Sequence, residues 1–240
     1  MKALRNLIVI ATAFYCLPIH AQPREVLVFH KTEGFEHNSI STGYQTITDL
    51  GIAHGFNVME TNNANVFEGA NLTKYDLVIF LNTSGNVLNE TQQHNFEKYI
   101  NGGGSFLGIH SAADTEYDWE WYGRLVGAYF IDHPEIQKAK IKVLEPHHPA
   151  VAHLPETWTR TDEWYNYRIV QPDINVLLNL DESTYSGGTM GKSHPIAWYQ
   201  DLKGGGRSVY TGGGHRKESY VEPLFVEHLL QCILYAIGDK

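Results

Sequence analysis

The sequence is short of cysteine, short of positive charge, and free of long apolar runs beyond its first twenty residues. Two cysteines occur in 240 residues. Cys16 lies in an N-terminal stretch expected to be removed, so no internal disulfide is expected. Cys232 stands alone in "VEHLLQCILYAIG", an apolar helical setting that favours a buried, inert thiol over a nucleophile. Eighteen Lys and Arg face 27 Asp and Glu, for a formal charge of -9. That balance excludes the basic surface a nucleic-acid partner needs. No later stretch approaches the ~20 apolar residues of a membrane span. Internal repeats, low-complexity tracts and linkers are also absent. Charged residues make up only 19% and aromatics 12%. Few charges with many Tyr and Trp suit a polar, aromatic-lined cleft of the kind that takes a sugar.

The N-terminus is present for a reason other than folding. Lys2 and Arg5 precede "LIVIATAFYCL", and "PIHA" follows, ending at Ala21. A basic start, a short apolar stretch and a small residue at the end describe a secretory signal peptide. Tyr15 before Cys16 argues against lipoprotein cleavage there, which wants small residues. Cleavage near Ala21 is expected, giving a periplasmic or secreted protein. Loss of Lys2 and Arg5 takes the charge from -9 to -11. Residues 22–240 are expected to form one domain.

The first half alternates strands and helices. "EVLVFH" (Glu25–His30), "FNVME" (Phe56–Glu60), "DLVIFLN" (Asp76–Asn82) and "SFLGIH" (Ser105–His110) read as strands. Asn38 is expected to cap a helix through His54, with Ile40, Tyr44, Ile47 and Leu50 at helical spacing. Asn89 caps "ETQQHNFEKYI", and Gly102–Gly104 end it. This order predicts a parallel sheet with right-handed crossovers. The second half changes character: "KAKIKVLEP" and "TWTRTDEWYNY" alternate, "INVLLNLDE" is more buried, and "PIAWYQDLKGGGRSVYTGG" predicts a hairpin turning at Lys203–Gly206. A last helix is expected from near Tyr220 to Gly238. The fold class is therefore α/β, a sandwich with an added antiparallel part.

Ligands of open parallel sheets lie beyond the carboxyl ends of the strands. There the sequence places His30, with His37 in the loop after it, then Asn82, then His110 with Ser111 and Asp114, and His215 after "VYTGGG". A single strand-end histidine is ordinarily structural. Several converging on one edge make a candidate site.

The stretches "VLVFHKTEGFEHNSI", "GGGSFLGIHSAADTEYDWEWYGRLVGAYFIDHP" and "HPIAWYQDLKGGGRSVYTGGGH" resemble the trehalose-utilisation (ThuA-like) family, within the class I glutamine amidotransferase-like superfamily. The resemblance covers nearly all of the chain after Ala21. It implies a flavodoxin-like, three-layer core. In the amidotransferases the turn after the corresponding strand reads roughly Gly-x-Cys-x-Gly. Here it reads "GIHSA", so His110 stands in the place of the thiol. His215, in "GGGHRKE", occupies a place similar to the family's second catalytic histidine, without the usual His-Pro-Glu. Glutaminase chemistry is not expected, since no activated nucleophile is present. The family name implies carbohydrate breakdown through sugar or keto-sugar intermediates.

His110 can act in two ways. Neutral imidazole accepts a proton near pH 7 or binds a metal. Asp114, one turn on, is its candidate orienting partner; alternatively it is a carboxylate favoured at a helix start. The candidate metal set is His30, His110 and His215, with zinc or another divalent ion suited to histidine and carboxylate. Glu163 in "DEWYNY" is a candidate acid/base or ligand. If Trp164 faces the core, Glu163 and Tyr165 share the other face; otherwise Glu163 is an ordinary exposed strand carboxylate. His37, Trp121, Tyr122, His133 and Tyr165 are candidate substrate-binding residues, although the aromatics of "YDWEWYGRLVGAYFIDHP" also suit a core. Three functions fit: an enzyme acting on a small-molecule carbohydrate as hydrolase, lyase or isomerase; a non-catalytic carbohydrate-binding module; or a degraded amidotransferase serving as an interaction domain. A homo-oligomer is left open.

Overall fold

A computed structural model describes residues 22–238. The expected signal peptide, Met1–Ala21, lies outside the described residues. Nine strands form one sheet in the order β2-β1-β3-β4-β11-β10-β9-β6-β7. The first five are mutually parallel: β2 (Phe56–Thr61), β1 (Arg24–Phe29), β3 (Leu77–Leu81), β4 (Ser105–Ile109) and β11 (Arg207–Thr211). β3 and β4 are buried along their whole length, as strands covered on both faces are. The other four are antiparallel neighbours: β10 (Pro195–Asp201), β9 (Asn175–Asp181), β6 (Gln137–Val143) and β7 (Thr157–Asp162). A two-stranded sheet pairs β5 (Tyr129–Asp132) with β8 (Asn166–Arg168).

Helices cover both faces. Phe80 of β3 stacks on Phe96 of α2 (Glu90–Asn101), while a Cβ on Gly43 of α1 (Ile40–His54) would touch Leu81. Successive strand residues point to opposite faces, so α1 and α2 lie on opposite sides. α3 (Glu120–Val126) joins α2 through the Phe106–Tyr122 and Phe96–Phe106 contacts, and α4 (Pro223–Ile237) packs beside α1. The core is therefore the three-layer α/β arrangement, with an antiparallel extension. Among the described residues no helix is long and apolar enough to cross a membrane.

Local departures from the expected elements have physical causes. Asn89 does cap α2, in a box with Gln92. Asn38 does not cap α1: Ser39 precedes it and gives its hydroxyl to Gly214 O instead. α4 begins at Pro223, because Tyr220 lies in a separate 3-10 turn, Lys217–Val221. "TWTRTDEWYNY" is not one strand. It breaks after Asp162, whose carboxylate accepts from the Glu163 N–H, and pairing resumes at Asn166.

The antiparallel extension does not run straight on. β7 stands four strand spacings from β11, which in a flat sheet would be ~19 Å. Yet Asp162, at the end of β7, accepts the backbone N–H of Gly214, just after β11, at 2.9 Å. The extension curls back, and brings the exit of β7 to the carboxyl edge of the parallel strands.

Candidate functional site

His110 follows β4 in a left-handed backbone conformation, φ 49°, and Asn82 follows β3 in the same state, φ 50°. Such a conformation costs a non-glycine residue on the order of 1–2 kcal/mol. It is held here by the surroundings. The Tyr210 hydroxyl donates to the His110 carbonyl at 2.8 Å, and His110 Nδ1 lies 2.9 Å from the Gly212 carbonyl. A carbonyl only accepts, so Nδ1 carries the proton and a neutral ring presents a lone pair at Nε2.

That lone pair meets three other groups. One nitrogen each of His37, His110 and His215 and a carboxylate oxygen of Glu163 all lie within 4.8 Å of one another. Glu163 Oε2 is 3.3 Å from His110 Nε2 and 3.1 Å from His215 Nδ1. Neither approach is aligned as a hydrogen bond, and both nitrogens are buried without a partner among the described residues. Buried polar atoms are ordinarily satisfied, so two orphans facing one carboxylate call for something between them. A divalent cation fits, since zinc takes imidazole and carboxylate at about 2.0–2.2 Å and an inward shift of the ligand atoms closes the shell. The separation is well inside the ~7 Å that two such bonds and some slack allow.

The electrostatics match a cation-binding set. Burial, reinforced by the neighbouring His110 and His215 rings, lowers His37 to about 2, so it remains neutral and able to coordinate. Burial alone would raise Glu163, but His110 and His215 beside it outweigh that and hold the carboxyl below its ordinary range. It is an anion at neutral pH.

A second layer fixes the set. Asp162 is fully buried; burial opposes its charge, but Arg160 leads the groups that keep it ionised. Its carboxylate takes Arg160 Nη1 at 2.8 Å, Ser219 Oγ at 2.9 Å and the Gly214 and Glu163 N–H groups. It thus ties Glu163 to the loop that carries His215. Asn82 Nδ2 donates to Ser39 Oγ and Gly214 O, at 3.0 and 3.2 Å, and fastens the same loop to the end of β3.

The cluster opens into a cavity of about 400 Å³ lined by Phe35, His37, Asp114, Phe130, His133, Glu163, Tyr165 and His215. Trp164 is buried with its indole N–H on Gln137 O, while Glu163 and Tyr165 both line the cavity. Tyr165 lies 4.2 Å from the His110 ring. His133 Nδ1 sits 3.2 Å from Glu163 Oε1, the oxygen turned away from the cluster. Asp114 lines the cavity but does not orient His110; that nitrogen is taken by Gly212 O, and Asp114 accepts from the Tyr117 hydroxyl at 2.6 Å.

Three expected residues lie elsewhere. His30 pairs with Glu60 in a separate cleft, because its strand β1 is two positions from β4 in the sheet. Trp121 stacks on Trp119 and packs on Phe96. Tyr122 is buried, its hydroxyl on Ala112 O. Both belong to the core between α3, α2 and the sheet. Conversely, sequence reasoning missed Phe35, Phe130, Ser39 and Asp162. For Phe35 a signal existed: a large aromatic in a glycine-flanked loop next to His37, and it is 63% exposed.

The fold and this edge agree with known proteins. The profile of the ThuA family, described as trehalose utilisation, matches residues 25–236, so the chain belongs to that family. A ThuA-like protein from Bacteroides uniformis superposes with a TM-score of 0.77 at 22% identity, covering 93% of this chain and 95% of that one. One from Parabacteroides merdae gives 0.72 at 17%, covering 90% of each. A GMP synthase protein from Thermoplasma acidophilum gives 0.51 at 15%, covering 90% and 97%, and shows the amidotransferase-like core. No curated protein matches the sequence. The amidotransferase nucleophile has no counterpart here. His110 fills its position, and Cys232 is buried on α4 with its thiol pushed up by burial.

Proposed function

We propose that the protein is an exported enzyme of carbohydrate metabolism that converts a sugar or keto-sugar by hydrolysis, elimination or isomerisation, assisted by a divalent cation held by His37, His110, Glu163 and His215. The observation that carries this reading is the pair of buried, unpartnered nitrogens, His110 Nε2 and His215 Nδ1, facing one carboxylate oxygen. Family membership supports the substrate class, and the N-terminal stretch supports export. A cation bound here would supply Lewis-acid polarisation of a sugar oxygen.

The chain's own groups supply the rest. Two carboxyls line one cavity with opposite displacements. Glu163 is held low, whereas burial raises Asp114, with the Tyr117 hydroxyl opposing. Such a split separates an ionised ligand or base from a proton donor, and Asp114 is the donor. Burial keeps the Tyr165 phenol far above its ordinary range, so its hydroxyl stays a hydrogen-bond donor. Phe35 and Phe130 offer apolar faces to the CH side of a sugar ring.

The test is turnover. Zinc-loaded protein is incubated with a panel of sugars and keto-sugars and followed by proton NMR. New product is expected from one sugar class, lost on chelation and reduced ~100-fold or more in Asp114→Asn, the ordinary share of an acid catalyst. Saturable binding without product would make the protein a carbohydrate-binding module instead.

A further inference from the structure

A second cavity of about 870 Å³ lies beyond the carboxyl ends of β1 and β2. It shares His37 as a wall with the cluster's cavity and is more than twice its size. Its chemistry differs from that of the cluster. His30 follows β1 and Glu60 lies on β2, and the imidazole Nε2 is 2.5 Å from the carboxylate. The His30 side chain is only 13% exposed, so the pair is built into the cleft rather than spread on the surface. With Nε2 given to Glu60, Nδ1 has no partner among the described residues and is left as an acceptor. The Asn62 amide likewise carries no hydrogen bond among the described residues, and offers a donor and an acceptor together. Tyr44, half-buried on α1, supplies an aromatic wall.

The lysine that lines the cleft is not available for an anionic ligand. Lys31 Nζ is held by Glu33 at 2.8 Å and by the Val87 carbonyl at 3.2 Å. Glu36 and Glu60 line the same cleft and disfavour a phosphate or carboxylate. What remains is a mixed set of donors and acceptors beside an aromatic face, which matches a neutral polyhydroxylated ring.

The geometry points to a second carbohydrate subsite in this cleft, formed by His30, Glu60, Asn62 and Tyr44, which receives the second ring of a disaccharide whose first ring lies at the His37–His110–Glu163–His215 cluster. The assignment rests on the sugar reading of that cluster. It makes the substrate a glycoside of at least two units rather than a free monosaccharide. His30 then belongs to the substrate-binding surface, not to the metal set.

Calorimetry on the zinc-loaded full chain tests it, with glucose, trehalose and cellobiose as probes. A disaccharide is expected to bind at least ~10-fold tighter than glucose, the worth of one or two hydrogen bonds. His30→Ala should reduce disaccharide affinity to near the glucose level, leaving glucose and zinc affinity unchanged. Asn62→Ala, at an exposed loop position, should cause a smaller loss of the same kind and guards against misfolding of the first variant. Disaccharide binding that neither substitution weakens would overturn the subsite alone. Equal loss of glucose and disaccharide binding would also overturn it. A wild-type protein that keeps zinc but binds none of the three sugars would overturn the subsite and the sugar reading together.

Discussion

At the scale of single residues, His110 decides the chemistry. It sits where an amidotransferase places its thiol, in a backbone conformation that histidine adopts only when its surroundings hold it. Replacing it with alanine removes one of four ligands. Because even an outer-shell partner is worth ~10–100-fold in metal affinity, the loss in His110→Ala is expected to be at least ~100-fold. Competition with a zinc-sensitive dye measures this, and unchanged affinity would remove His110 from the set. Ammonia release from glutamine is expected to be undetectable, in wild type and Cys232→Ala alike. Release that depends on Cys232 would show the fold to be an active amidotransferase.

At the scale of elements, the site depends on how three chain segments are tied together. Asp162 at the end of β7 binds the loop after β11, and Arg160 and Ser219 complete its partners. Asp162→Asn leaves Arg160 less well compensated in the interior. Breaking a buried pair costs about 3–5 kcal/mol, which lowers the melting temperature by roughly 10 °C in a domain of this size. Thermal unfolding checks it. A drop of one or two degrees would mean the pair is merely tolerated. The glycines of this loop are equally specific: Gly214 has φ +113°, and a Cβ on Gly213 would come 2.6 Å from Arg160 Nη1. The sequence makes the parallel strands plain, because four apolar runs end at polar residues and helices intervene. It makes His110, His215 and Glu163 visible by strand ends and alternation. It hides Asp162 and Ser39, whose roles arise from the curl of the extension, a contact between strands four places apart. It also misplaces His30: the strand ends share an edge, but β1 and β4 are separated by β3, so an edge is not yet a cluster.

At the scale of the whole molecule, stability should respond to acid. Burial lowers His37 to about 2 and His228 to about 3, from 6.5 in the unfolded chain. Between those limits the unfolded state binds more protons, so stability is lost as pH falls below 6.5. Each buried neutral histidine contributes about 1.4 kcal/mol per pH unit through that window. Glu163, held below its ordinary 4.5, adds a loss in the same direction below that value. In metal-free protein the melting temperature is expected to fall steadily from pH 7 to pH 4. His228→Gln, on α4 and away from the cavity, should flatten the slope by about one proton. A flat profile in the wild type would show these rings to be solvated in the native state.

The central claim is that the four-residue cluster binds a divalent cation, and zinc titration of chelator-treated protein by calorimetry tests it most directly. The expected result is one zinc per chain, with protons released on binding, and loss of that site in both His110→Ala and Glu163→Gln at unchanged fold by circular dichroism. No zinc binding by the wild type, or the same stoichiometry and affinity in both variants, would contradict it.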